Sequence, residues 1–176
     1  LDALEKRSGN EAWIVRSSCS REDGVKFSNA GAFLSIPNVY SDYLEAAVEK
    51  VIESYGESNS SDEVLIQPML TQVLRSGVAF SHDPNTNAPY RVINWSEGDN
   101  TAAVTGGISG RVWQQAAGSK RPITPKFKTI IALINELLDL FDNVPLDCEF
   151  AVTKGKQSEI LWLLQVRPLI MTQKAE

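Results

Sequence analysis

Asp147, Glu149, Gln165 and Arg167 have the residue types and spacing of a platform for a metal-bound polyphosphate. In each pair one residue separates the two members, so in an extended chain both project from the same face. Carboxylates are hard oxygen ligands, and Mg²⁺ usually takes one or two of them while water and phosphate oxygens fill its other positions. A guanidinium grips phosphate with a planar fork and stays charged at any working pH. The bland alternative is a salt bridge on the wet side of an antiparallel hairpin, where charges commonly alternate with apolar residues.

The elements that must position these groups are legible around them. Asp147–Val152 and Ile160–Pro168, joined by residues 153–159, read as a β-hairpin. Cys148, Phe150, Val152, Trp162, Leu164 and Val166 alternate with the polar four and are expected to form its buried layer. Upstream, Glu11–Ser18 reads as a strand that presents Arg16 at its end. The following loop, Arg21–Gly31, is small, polar and glycine-bearing. It could turn backbone N–H groups toward a phosphate, or be an ordinary surface turn.

Two helices are signalled. The first has Ser41 or Asp42 as cap and an apolar stripe of Leu44, Ala47, Val48, Val51, Ile52 and Tyr55 that ends at Gly56. The second has Thr124 as cap and Pro125 at the first helical position, followed by Phe127, Ile131, Ile134, Leu138 and Phe141 on one stripe. Between them, Glu63–Leu70, Val73–Ser81 and Tyr90–Trp95 read as strands, and residues 96–110, rich in Gly, Thr, Ser and Ala, as a loop. The class is α+β, mainly antiparallel, with two long packed helices.

Composition narrows the partners. Hydrophobic residues at 43% and charged residues at 22% of 176 are ordinary globular values and imply a packed core. A net charge of -5 without a basic stripe argues against nucleic-acid and anionic-membrane partners. No apolar run approaches the roughly 18 residues of a membrane span. Cys19 and Cys148 are too few for a disulfide framework or zinc site and read as buried thiols. The first residue is Leu1 and no signal-peptide pattern follows it, so a cytoplasmic protein is expected, with this chain beginning inside a longer polypeptide. His82, in a turn beside Ser81 and Asp83, needs no catalytic role.

Five blocks, taken in order, resemble the nucleotide-binding domain of the phosphoenolpyruvate synthase and pyruvate phosphate dikinase family: Val15–Asp23, Phe27–Val39, Val64–Met69, Ser76–Ser81, and Asp147–Glu149 with Leu164–Pro168. The resemblance runs from about Trp13 to about Leu169 and implies an ATP-grasp-like fold, with residues 1–176 a single, partial domain of a multidomain protein. It implies binding of ATP with Mg²⁺ and donation of a phosphoryl group to a histidine on a separate domain, which serves an acceptor domain of the same polypeptide. By motif, Arg16 and Arg167 would contact the transferring phosphates, and Ser28, Asn29, Ala30 and Gly31 would cover them. Gln67 would lie near the adenine, Asp147 and Glu149 at the ribose and metal end, and Gln165 on the phosphate side. Such transfer needs positioning and charge neutralisation more than covalent help.

Departures from the pattern are equally specific. The family's glycine-rich opening with its phosphate-gripping lysine is absent, and its later glycine-rich block is replaced by Trp95-Ser96-Glu97-Gly98-Asp99. These changes leave a second reading, a degenerate nucleotide-binding module for regulation or assembly without catalysis. A third keeps the donor chemistry but with another acceptor, such as an antibiotic or polysaccharide hydroxyl. Self-association into a homo-oligomer stays open.

Overall fold

The computed structural model describes residues 12–18, 34–56, 59, 61–98 and 110–169. The chain divides into two compact units, Leu1–Leu70 and Thr71–Glu176.

The first unit is a three-stranded antiparallel sheet with one helix. Its strands are β1 (Trp13–Ser18), β2 (Ser35–Val39) and β3 (Glu63–Pro68), in the order β2-β1-β3. Helix α1 (Leu44–Glu53) follows a 3₁₀ turn at Ser41–Tyr43. Strict alternation in β1 buries Trp13 and Val15, which pack with Val39, Leu44, Ala47, Val51 and Tyr55. The Tyr55 hydroxyl donates to the Glu63 carbonyl and accepts from the Ser18 N–H at 3.2 Å, tying the end of the helical segment to β1 and β3. Neither Ser41 nor Asp42 acts as a side-chain cap; Tyr40 and Tyr43 occupy the cap positions, without a side-chain bond.

The second unit is a five-stranded antiparallel sheet, β4 (Val73–Phe80), β5 (Tyr90–Glu97), β6 (Arg111–Ala116), β7 (Leu146–Lys154) and β8 (Glu159–Pro168), in the order β6-β5-β4-β7-β8. Helix α2 (Lys128–Leu140) packs on one face. Its buried residues Ile130, Ile131, Ile134, Leu137 and Leu138 recur three and four apart, the spacing that keeps one face of a helix inward. They meet Ala79, Ile93, Trp95, Leu146, Cys148, Phe150 and Val152 from the sheet. Phe127 fills the layer between the Trp95 and Trp113 rings, with centroids 5.6 and 5.2 Å away. Gly77 is required where Trp95 crosses it, since a Cβ there would stand 2.1 Å from the Asn94 carbonyl oxygen.

Expected strands and helices appear near their predicted positions, with four differences. β2 contains Pro37, whose missing N–H is tolerated because β2 is an edge strand. β6 is a further edge strand that the sequence pattern did not mark. β3 and β4, close in sequence, belong to different sheets. Thr124 precedes a 3₁₀ turn, Pro125–Phe127, without making a side-chain cap bond. Among the described residues no helix is long and apolar enough to cross a membrane.

Candidate functional site

The hairpin forms as expected, with Leu146–Lys154 paired to Glu159–Pro168 around a four-residue connection at 155–158. Its register sets Asp147 opposite Arg167 and Glu149 opposite Gln165. Directly opposed residues share a face, so the sequence-predicted four stand together, on the side of the sheet away from α2.

Arg167 Nε donates to both carboxylate oxygens of Asp147, at 2.9 and 3.1 Å. The pair is not on a wet face: the side chains are 22% and 8% exposed. Glu149 and Gln165, one row along, are half-buried. Asn94 joins that row, because it and Glu149 both lie opposite Val78 in neighbouring ladders. The sequence reading passed over Asn94; the alternation of β5 would have placed it, once the strand order was known.

One expectation about the hairpin is corrected. A bulge between the Glu149 and Phe150 rungs leaves Leu164 as the extra residue on β8. Every residue of β8 before it changes face relative to simple alternation. Leu163 and Leu161 therefore lie opposite Phe150 and Val152, while Trp162 moves to the Ala151 side. There its indole N–H donates to Thr153 Oγ1 at 2.9 Å. The expected buried layer keeps Cys148, Phe150, Val152 and Val166, but neither Trp162 nor Leu164, and Leu161 packs against it instead.

In the first unit, Arg16 stands opposite Leu65 and Gln67 opposite Ile14. The two candidates thus share the face of the three-stranded sheet that alternates with the core residues Trp13 and Val15. Ser28, Asn29, Ala30 and Gly31 lie outside the described residues, as does Cys19. Cys148 is fully buried beside Asp147 and Glu149; burial first, then the two carboxylates, push its thiol up to about 12, which keeps it protonated and unreactive. His82 is held neutral by burial and by the Arg91 charge, which lower its pKa below the usual histidine value.

The donor set fits Mg²⁺ in kind. It offers carboxylate oxygens, and two of them rather than a cage, as expected for an ion that shares its shell with phosphate. Among the described residues no group of three or more His, Cys, Asp or Glu gathers. With both Asp147 oxygens engaged by Arg167, Glu149 is the more available ligand.

No family model matches the chain, and no curated protein does. Among solved structures it is similar to the D-alanine-D-alanine ligase from Helicobacter pylori, at 18% identity and a TM-score of 0.49. That match covers 96% of this chain and 45% of the ligase chain, so this chain spans less than half the length of the ligase.

Proposed function

We propose that the chain is the Mg-ATP-binding part of an ATP-dependent phosphotransferase of the phosphoenolpyruvate synthase type, with an ATP-grasp-like cleft and a histidine of a separate domain as phosphoryl acceptor. The observation that carries the reading is the hairpin register, Asp147 opposite Arg167 and Glu149 opposite Gln165, which turns two short sequence motifs into one rigid cluster. In this reading Glu149, seconded by Asp147, holds the metal, whose contribution is to neutralise charge on the phosphates. Arg167 orients the transferring phosphate and Gln165 hydrogen-bonds a phosphate oxygen; Arg16 is proposed as a phosphate contact from its sequence motif alone. Gln67 lies at the adenine end, and Ser28–Gly31 covers the phosphates. The histidine-bearing and acceptor domains belong to the rest of the polypeptide, working in the cytoplasm.

The arrangement suits phosphoryl transfer because that reaction gains most from fixed charges and alignment. Carboxylates and a guanidinium on paired strands are stiffer than the same groups on loops. In the full-length protein, Glu149→Ala and Arg167→Ala are each expected to abolish Mg-dependent transfer of label from ATP to protein, while circular dichroism remains that of the wild type. Retained turnover in both variants would remove the assignment.

A second reading has one observation in its favour. Trp95 and Ser96, which stand where the family has its glycine-rich block, are strand residues of β5, and Trp95 is a core side chain. A module that binds nucleotide without transferring it would show Mg-ATP binding by calorimetry and no labelled protein with either γ- or β-labelled ATP.

A further inference from the structure

Ser81 closes the β4–β7 ladder with its side chain. The last regular rung pairs Phe80 with Asp147. One residue beyond, the Ser81 N–H donates to the Leu146 carbonyl at 2.9 Å. In an antiparallel pair the return bond runs to the backbone carbonyl. Here it runs instead to Ser81 Oγ, which accepts from the Leu146 N–H at 2.8 Å. The Ser81 carbonyl accepts from Arg91 Nη1, while Arg91 Nη2 donates to Asn135 Oδ1 at 3.0 Å. The hydroxyl also lies 3.0 Å from His82 Nδ1, to which it donates its own hydrogen when the ring proton is on Nε2. Ser81 is 0% exposed, and its N–H, carbonyl and hydroxyl are all engaged.

The geometry points to Ser81 as the positioning residue for the Asp147–Arg167 pair, with His82 as the acceptor that orients its hydroxyl. The inference rests on the nucleotide reading given above. Asp147 directly follows Leu146, and the chain enters β7 from a turn in which Asp142 and Asn143 both have positive φ. The hydroxyl fixes the β4 side of this entry, while the β8 side is held by the Leu146–Pro168 rung and by the Leu169 N–H, which donates to the Pro145 carbonyl at 2.8 Å. Without it, the Leu146 N–H loses its acceptor, and the strand one residue before the carboxylate is held to Ser81 by the Ser81 N–H bond alone. Below the histidine range, protonated His82 offers a hydrogen where it had accepted one, and the hydroxyl hydrogen must turn elsewhere. The charged groups around the ring are Arg91, which opposes that protonation, and Asp83, whose carboxylate is occupied by the Asn85 and Thr86 N–H groups, each at 2.9 Å.

The test combines amide hydrogen exchange with Mg-ATP calorimetry on the full-length protein. Ser81→Ala is expected to speed exchange of the Leu146 amide and to weaken Mg-ATP by about five- to tenfold, the equivalent of one net hydrogen bond. Ser81→Thr, which restores the hydroxyl, is expected to return both measurements to within about twofold of wild type. Wild-type affinity is expected to decline as pH falls below the histidine range, and His82→Phe to flatten that decline. Should Ser81→Ala fail to fold, His82→Phe at pH 8 is the substitute, with faster Leu146 exchange expected. Unchanged Leu146 exchange in the variants overturns the proposal. So does faster exchange with unchanged Mg-ATP affinity, in a protein whose binding Glu149→Gln abolishes. Absence of Mg-ATP binding in the wild type overturns the nucleotide reading instead, and the exchange data alone then decide whether Ser81 anchors Asp147.

Discussion

Arg75 shows what an ion pair does in this sheet when it serves structure alone. It lies on the α2 side, buried, with Nη1 donating to Glu159 Oε1 at 2.9 Å, Nη2 to Glu159 Oε2, and Nη2 also to the Lys126 carbonyl at 3.3 Å. The hydrogen bonds from Arg75 hold the Glu159 carboxyl below its ordinary pKa. A depressed carboxylate adds stability above its unfolded pKa and loses it as pH falls through the folded value. Glu159 is half exposed, so the contribution is small, about 1 kcal/mol or less. Urea unfolding of Glu159→Gln should show that loss at pH 7, and the loss should shrink as pH falls below the ordinary glutamate value. Arg75→Ala should cost more, because it also removes a buried stem. That Asp147 and Glu149 share a face, as Gln165 and Arg167 do, was legible from their two-residue spacing, while the register that pairs Asp147 with Arg167 was not. That Arg167 approaches Asp147 through Nε was not legible, since side-chain approach is set by packing that only the register defines.

Elements with a long periodic stripe were readable, and short edge strands were not. Helix α2 repeats apolar residues over 13 positions, enough for periodicity to overrule local ambiguity. Strand β6, Arg111–Ala116, buries none of its residues fully, so it carries little of the alternation by which a strand is recognised. Strand β2 was hidden by Pro37 and by Asn38, whose φ is 57°. Two substitutions test the packing described. Ile134→Ala, at a fully buried α2 position, should destabilise by about 2–5 kcal/mol in chemical denaturation. Gly77→Ala should cost about 1–3 kcal/mol or more, because its methyl meets strand backbone rather than a flexible side chain. A Gly77→Ala protein as stable as wild type would mean that β4 and β5 can separate without penalty.

At the scale of the whole molecule, the candidate residues are divided between the two units, Arg16 and Gln67 in one and the hairpin four in the other. Each set occupies the sheet face away from its own helix. That distribution was latent in the sequence order of the blocks, but the boundary near Leu70 was not. Mg-ATP should raise the melting temperature of the full-length protein, with the increment lost in Glu149→Gln. At 100 times its Kd a ligand adds about 2.7 kcal/mol.

The bulge at Leu164 also bears on what the protein avoids. β8 is the outer strand of its sheet, and Ile160, Trp162 and Leu163 on it are all exposed. A long, flat, apolar outer strand is a template on which another chain can add by backbone pairing. An extra residue in mid-strand bends that template and increases its local twist, so an incoming straight strand can match only one half at a time. Removing Leu164 would straighten β8 into a continuous register and, by the same stroke, make the protein prone to edge-to-edge aggregation.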